Sequence, residues 1–372
     1  MPVVAFLSAN ISDLQGQGSR VRTPALQVLL ANQPLTGVTA IETVNTSHFA
    51  ADTFRVTAAI SALPPALGIN YWDKSFGDEL GIYGGFASDT PLPLLVYGQV
   101  DDVEVDPILR TMTLTGRDLS ARMIDTKTTV TYQDKRASDI ATQIAQNHGL
   151  TPNVQQTTFK VTGTYYQILN AMHLQGRSDW DLLVVLAQHE GFDLWVSGHT
   201  LNFLPPLALT SDPYVLLWSD LGQGNRVSNA VDIKMRRSQT LARDVVVNVA
   251  SWNQAQGKVF KATVKKSQAN KTSKQSSVNP QTYNFWPPNL NQVQVNQFAN
   301  GKAEEITRHE RVIQASLPGD GLLQTRGLVK LVGTGTAWDQ VYYPDTVRRE
   351  ISFEGGYRME LSAKNHSALL SE

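Results

Sequence analysis

The hydrophobic period changes twice along the chain, and no other feature constrains the fold as strongly. Phe54, Val56 and Ala58 alternate with Arg55 and Thr57, the two-residue period of a strand with one buried face. Around it, Ala25 to Leu30, Leu35 to Val44, Leu94 to Val103 and Leu109 to Thr115 read as further short strands. Turns at Asn32-Gln33-Pro34 and Asp106-Pro107 and a stop at Leu63-Pro64-Pro65 separate them. The stretch from Leu67 to Pro93, with Trp72, Tyr83 and several glycines, reads as an irregular loop.

Near Thr128 the period becomes helical. Ala137 to His148 places Ile140, Ala141, Ile144 and Ala145 on one face, and Gly149 suits a left-handed cap. Ser178-Asp179-Trp180-Asp181 fits a capping box. The helix it opens carries Trp180, Leu183, Val184 and Ala187 as its stripe and ends at Gly191. Phe192, Leu194 and Val196, a Gly198-His199 turn, then Leu201 and Phe203 make a hairpin. This predicts a helix–helix–hairpin unit.

Strand patterns then return. Asp244 to Val249, Val259 to Val264, Arg311 to Ala315, Gly327 to Val332, Gln340 to Glu350 and Tyr357 to Ala363 read as strands, with a helix inside Val293 to His309. The resulting class is mainly β with an α+β insertion. The expected division is an arm at 1–23, a first β domain at 24–127, an α+β domain at 128–210 and a second β domain at 211–372. A Lys-, Ser- and Asn-rich segment at 265–282 has almost nothing to bury and reads as a flexible loop.

Composition removes several function classes. The 372 residues hold 32 Lys and Arg against 33 Asp and Glu, and no Cys. The balance argues against nonspecific nucleic-acid binding by the whole surface. The lack of Cys excludes disulfides, thiolate metal sites and Cys nucleophiles. No run is long and apolar enough to span a membrane, and the start, Met1 to Asn10, lacks the basic region of a secretory signal.

A search for chemistry yields no catalytic, cofactor-binding or metal-binding residues. Seven histidines, at 48, 148, 173, 189, 199, 309 and 366, include no i, i+4 pair. His189-Glu190 and His309-Glu310 lack the second His of a zincin. His148 and His189 occupy last helical turns, where a cation meets the negative dipole end. The Gly-Gln-Gly pieces at 16–18 and 222–224 continue into no phosphate-binding motif. The acidic run Asp101, Asp102, Glu104 and Asp106 reads as a solvated hairpin, with a cation site or an acid/base pair as the alternative. Lys258, Lys261, Lys265, Lys266, Lys271 and Lys274 form a basic run without interleaved aromatics, so a solvated loop is favoured over a phosphate track. Tyr283, Phe285 and Trp286 before Pro287-Pro288 either dock a partner or root a loop.

Three segments together resemble a known family. They are Val96-Tyr97-Gly98-Gln99-Val100 with Leu114-Thr115-Gly116-Arg117-Asp118-Leu119 and Met123-Ile124-Asp125; Ala137 to Leu150 with Ser178 to Leu183, Leu186-Ala187, Gly191 and Leu201 to Pro205; and Asp339 to Tyr343 with Val347-Arg348-Arg349 and Arg358-Met359-Glu360-Leu361. Their order is similar to that of the late-control-D family, the central hubs of contractile phage baseplates, whose hub portion type VI secretion spike proteins share. The resemblance covers roughly 24–363. It implies two barrel-like tube domains flanking the α+β domain, and a homotrimeric ring that adapts a six-fold tail tube to a three-fold spike. It also implies a lumen that passes genomic DNA without sequence-specific binding, a place in the virion baseplate, host cytoplasm during assembly, and no enzyme activity or cofactor. Implied partners are the tail tube protein above, a spike protein below and other baseplate proteins. The sequence stops at Glu372 without a β-helical needle, so the spike is expected to be a separate protein. Competing readings are a β-rich peptidoglycan hydrolase and the hub of a bacterial contractile injection system.

Overall fold

The structure is a computed structural model. It describes residues 23–47, 49–127, 132, 135–158, 178–207, 211–220, 226–238, 245–254, 256–266, 280–307 and 310–365. The expected arm, both Gly-Gln-Gly pieces, most of the 265–282 segment, Lys271, Lys274 and the histidines at 48, 173, 309 and 366 lie outside these residues or, for the arm, reach them only at Thr23.

The first block comprises β1 (Pro24–Leu30), β2 (Gln33–Pro34), β3 (Val38–Thr46), β4 (Thr53–Ala59), α1 (Ile69–Trp72), β5 (Glu79–Phe86), β6 (Leu94–Asp106) and β7 (Thr111–Asp118). After α2 (Ala121–Asp125) comes the central unit of α3 (Ala137–Asn147), β8 (Thr151–Val154), α4 (Asp179–Glu190), β9 (Asp193–Ser197) and β10 (Thr200–Leu204). The second block starts with β11 (Tyr214–Asp220), β12 (Arg226–Ser228) and β13 (Asp232–Arg237). A further unit follows, with β14 (Val245–Asn253), β15 (Lys258–Lys266), β16 (Gln281–Phe285) and α5 (Gln292–Thr307). The block is completed by β17 (Arg311–Pro318), β18 (Val329–Val332), β19 (Val341–Ser352) and β20 (Gly356–Asn365).

The protein is mainly β. Its two blocks repeat one pattern. In the first, β3, β4, β7 and β6 pair in that order; β5 pairs the upper half of β6, and β1 and β2 continue outward. In the second, β13, β17, β20 and β19 pair in that order; β18 pairs the upper end of β19, and β11 and β12 continue outward. Strand for strand and in chain order, β1 to β7 correspond to β11, β12, β13, β17, β18, β19 and β20. One local difference is that β1 runs antiparallel to β5, whereas β11 runs parallel to β18.

The blocks are not separate. β19 pairs antiparallel with β3 from Thr346↔Thr46 to Ser352↔Ala40, so both lie in one 14-stranded sheet. One apolar core runs beneath both, with Ile41, Val56, Met112 and Leu114 from the first block and Ile313, Tyr342, Val347 and Leu361 from the second. The sheet is open. Among the described residues the strands form no closed barrel, because β13 pairs only β17 and β6 beyond Val100 pairs only β7.

Two smaller cores belong to the inserted units. The central one is built from Leu119, Ile140, Ile144, Trp180, Leu183, Leu186 and Phe203, so it begins upstream of the boundary expected at 128. Its caps form as the sequence indicates: Ser178 Oγ accepts from Asp181 N–H and Gly191 is left-handed. The other core joins Val245, Val247 and Val249 to Val295, Phe298 and Ala299 of α5. It makes 245–307 a unit of its own inside the region expected to be one β domain.

The expected loop from Leu67 to Pro93 needs correction, since it contains β5. Three glycines blur the strand period there. They permit close packing: a Cβ on Gly84 would sit 2.7 Å from Cδ1 of both Leu95 and Ile351. The 265–282 loop is narrower than expected, because Lys265 and Lys266 pair with Val246 and Val245, and Gln281 and Thr282 pair with the same two residues from the other side.

Gly116 shows the tightest requirement in the first block. An added Cβ would lie 2.1 Å from Gln99 O and 2.4 Å from Phe54 Cζ. Gly116→Ala is expected to cost about 3 kcal/mol or more in chemical denaturation through overpacking. Gly198→Ala, with a left-handed backbone but open space around it, is expected to cost only about 1 kcal/mol.

Candidate functional site

Alternation at the end of β7 sends Arg117 outward and Asp118 inward. The outward Arg117 guanidinium forks onto Asp101 at 2.7 Å and Asp125 at 2.8 Å, which ties β6 to α2. These two carboxylates raise the Arg117 pKa, and Arg117 in turn lowers that of Asp125. Gly116-Arg117-Asp118 is therefore a mechanical joint: a close approach, an outer clamp and an inner acceptor.

The inner acceptor belongs to a buried polar network where the two blocks meet the central unit. Asp118 accepts from Ser120 N–H at 2.9 Å, the Ser120 hydroxyl and Asp52 N–H at 3.1 Å. Asp52 accepts from Asn45 Nδ2 and Thr46 N–H, each at 2.8 Å. Asn45 also donates to Leu95 O at 3.1 Å and accepts from Arg349 at 2.6 Å. Arg349 donates to Leu323 O, and Arg326 donates to Thr46 O at 2.8 Å while lying over the Trp195 ring. A cavity of about 380 Å³ is bordered by Asp52, Asp118, Trp195, Asn202, Arg326 and Arg349.

Burial dominates the electrostatics here. Loss of hydration, then the charge of Asp52, pushes the Asp118 carboxyl up to about 7. Burial also raises Asp52 against the pull of Asn45, Thr46 and the two arginines. Two acids and two guanidiniums share this space, and each Asp accepts backbone N–H bonds. The arrangement fixes chain segments relative to one another.

The central unit is fastened beside this network. Trp180 Nε1 donates to Phe49 O at 2.6 Å. His148 Nε2 sits 2.8 Å from Asp179 Oδ2. His199 lies 3.0 Å from Glu79, which also accepts from Tyr97 and Arg122. His189 departs from the expected dipole-stabilised cation. Burial, with the nearby Lys302 charge, lowers its pKa, and its ring packs edge-on against Phe298.

The second feature is a broad polar face. Along the ladder β13-β17-β20-β19-β3-β4-β7-β6, each register row alternates between the core side and the open side. The open side carries Lys234, Gln314, Glu360, Arg348, Glu42, Arg55, Thr113, Thr115, Asp102 and Glu104 in neighbouring rows. Arg348 bridges Glu42 at 2.9 Å and Glu360 at 3.4 Å. The expected acidic hairpin forms one margin of this face. Asp106 caps its own turn by accepting from Ile108 and Leu109 N–H.

The basic run is placed differently from the sequence expectation. Lys258, Lys261, Lys265 and Lys266 lie on the strand β15, outside any loop. Tyr283 and Phe285 root the segment by packing on the α5 core, while Trp286 is exposed. The residues that sequence reasoning missed are Asp52, Asn45, Arg326 and the strand β13. Their only signal was a polar residue at an inward strand position, visible for Asn45 and Arg349 once the strand phase is fixed.

A pH signature follows from Asp118. Its folded pKa is raised, so its stabilising contribution is complete below about pH 4 and is lost as pH rises towards about 7. Asp118→Asn is expected to flatten the decline of melting temperature over that range, measured by circular dichroism at several pH values. An unchanged slope would show that Asp118 does not titrate there.

Comparisons with known proteins bear on this arrangement. Residues 79–352 match the family model described as the Alg8 N-terminal domain. No curated protein matches the chain. Among solved structures, the tail protein from Neisseria meningitidis MC58 is similar with a TM-score of 0.67 at 14% identity, covering 92% of this chain and 97% of its own. The 43 kDa tail protein of prophage MuSo2 from Shewanella oneidensis gives 0.62 at 14% identity, covering 92% and 98%. The E. coli c3393 protein, a component of the type VI secretion system, gives 0.53 at 10% identity, covering 92% and 77%. At these identities the likeness establishes a shared fold.

Proposed function

We propose a structural role for this chain, which belongs to the Alg8 N-terminal domain family: it is the hub of a contractile phage tail baseplate. In this reading three copies form a ring that adapts a six-fold tube to a three-fold spike. Tube protein sits above, a spike and other baseplate proteins sit around and below, and genomic DNA passes through the lumen. The ring assembles in the host cytoplasm and resides in the virion.

The carrying observation is the doubled strand pattern. Two blocks with the same order of seven strands, held in one sheet, give each copy two near-equivalent faces. Three copies then offer six, which is what a six-fold neighbour requires of a three-fold ring. The likeness to phage tail proteins in fold supports the setting. The polar face suits a channel wall, because its ion pairs and threonines leave few free cations to hold phosphates. The barrel-like character implied by the sequence resemblance arises here between copies, since each copy's sheet is open.

The chain is read as no enzyme. The carboxylates of Asp52 and Asp118 are engaged by backbone N–H groups and by the side chains of Asn45 and Ser120. The Alg8 name carries a glycosyltransferase association, and this reading assigns no such activity to the chain. A second reading, the hub of a bacterial injection machine with protein cargo, is favoured by the type VI secretion protein among the similar structures.

Light scattering is expected to give three times the chain mass, and negatively stained particles are expected to show rings with three-fold or pseudo-six-fold symmetry. The protein is expected to leave peptidoglycan intact. A stable monomer that clears cell walls would reverse the assignment.

A further inference from the structure

Among the described residues, the polar ladder ends in two unpaired strand edges of opposite charge. At one end, Asp101–Asp106 of β6 reads Asp-Asp-Val-Glu-Val-Asp; its last bond on the far side is Val100 N–H to Asp78 O. At the other end, β13 reads Asp-Ile-Lys-Met-Arg-Arg and, among the described residues, pairs only β17. Unpaired edges of this kind are normally covered or blunted. Apolar residues at both margins are left part-covered. Val103, Val105 and Ile233 sit at the rim of the main core, and Val231 and Met235 are 79% and 43% exposed.

The chain already contains the joint that would satisfy them. In the duplicated pattern β6 corresponds to β19 and β13 corresponds to β3, and β19 pairs with β3 inside one copy. We propose that the lower half of β6 pairs antiparallel with β13 of a neighbouring copy, repeating between subunits the β19–β3 joint seen within one. This rests on the ring reading above and specifies how its subunits meet.

The register can be transferred. Counting from the hairpin ends, Asp102, Val103, Glu104 and Val105 match Arg348, Arg349, Glu350 and Ile351. Through their pairings with β4 and β17, Ile41, Glu42, Thr43 and Val44 match Val231, Asp232, Ile233 and Lys234. Within one copy the observed pairs are Arg348↔Val44, Arg349↔Thr43, Glu350↔Glu42 and Ile351↔Ile41. Between copies they become Asp102 with the partner subunit's Lys234, Val103 with the partner's Ile233, Glu104 with the partner's Asp232, and Val105 with the partner's Val231. Core-side apolar residues meet apolar residues, and an open-side acid meets a cation. The one like-charged pair, Glu104 with Asp232, has its counterpart in Glu350 opposite Glu42, where the neighbouring Arg348 neutralises the row. Here Asp102 takes the place of Arg348, and the neutralising cation comes from the other strand, as Lys234, whose Nζ already lies 3.5 Å from Asp232.

Direction is also satisfied. The ladder has an even number of strands, each antiparallel to the next, so its two edge strands run oppositely. Copies related by rotation about an axis along the strands therefore meet antiparallel. A head-to-tail contact of this type closes a ring when its rotation divides the full turn.

The test uses the absence of cysteine from the chain. Opposed residues in antiparallel strands stand about 4.5–5.5 Å apart at Cα, within disulfide reach. Oxidised Asp102→Cys/Lys234→Cys protein is expected to run as a covalent species of three chains under denaturing, non-reducing conditions. The control pair Asp106→Cys/Arg236→Cys, out of register, is expected to stay uncrosslinked. Asp102→Lys or Lys234→Asp alone is expected to weaken assembly about a hundredfold, and Asp102→Lys/Lys234→Asp together to restore it. An equimolar mixture of the two single variants can only alternate, so it is expected not to form the three-membered ring. Circular dichroism melts confirm that the single variants fold. If the wild type forms three-membered rings but these pairs neither crosslink nor respond to charge reversal, the strand joint is wrong and the ring reading stands. If the wild type is a monomer at all concentrations, the ring reading itself fails.

Discussion

The pairing of β19 with β3 is the interaction on which the remaining architecture depends. It joins strands some 300 residues apart in sequence, and it converts two strand blocks into one sheet over one core. Such a contact closes a very long loop, and its entropic cost grows only slowly with loop length. The joint is reinforced beneath the sheet by Arg349, which donates across the block boundary to Asn45, and by Asp52, which holds Asn45 in place within the first block. Removing one partner from such a network leaves buried polar atoms unsatisfied, which costs more than the bond contributes. The geometry is thus strict where the blocks meet and permissive on the open face.

The inserted units reveal a polarity that the sheet alone would lack. β7 and β13 run in the same direction, and each leads at its end into an insertion, the central unit after β7 and the α5 unit after β13. Both insertions therefore leave the ladder at one end, where they meet: Gln297 Nε2 donates to Glu190 O at 2.8 Å, and His189 packs on Phe298. The duplicated blocks are pseudo-symmetric, whereas their insertions differ in size, topology and core.

Much of this was legible in the sequence, for reasons that can be stated. Period-two alternation gave Phe54, Val56 and Ala58 their inward side, and the helices at 137 and 178 were marked by caps whose chemistry is local. β5 escaped because Gly81, Gly84 and Gly85 carry no side chain to show a period, and their purpose lies in close approach to Tyr97, to Leu95 and Ile351, and to Asp89 respectively. β13 escaped because three cations in six residues resemble any exposed segment. Gly116-Arg117-Asp118 was visible as a motif, but its reason was not. The clamp to Asp101 and Asp125 and the acceptor role of Asp118 exist only once β6, β7 and α2 are in place. The acidic run at 101–106 was read correctly as a hairpin, yet its free far edge is a property of the sheet and of no local pattern.

At the opposite end of the ladder the hairpins β6–β7 and β19–β20 turn side by side, separated by β3 and β4, and their tips carry Ile108 at 90% exposure, Leu109 at 72% and Phe353 at 85%. Each block therefore presents one bare apolar tip at the same end, while the insertions clothe the other. Duplication explains why the tips are alike; the single chain explains why the insertions need not be. A chain built this way has one end at which a feature occurs twice and one end at which each feature occurs once. That difference is encoded in where two insertions were placed among otherwise matching strands, and in the proposed ring it is what gives the two ends different symmetry.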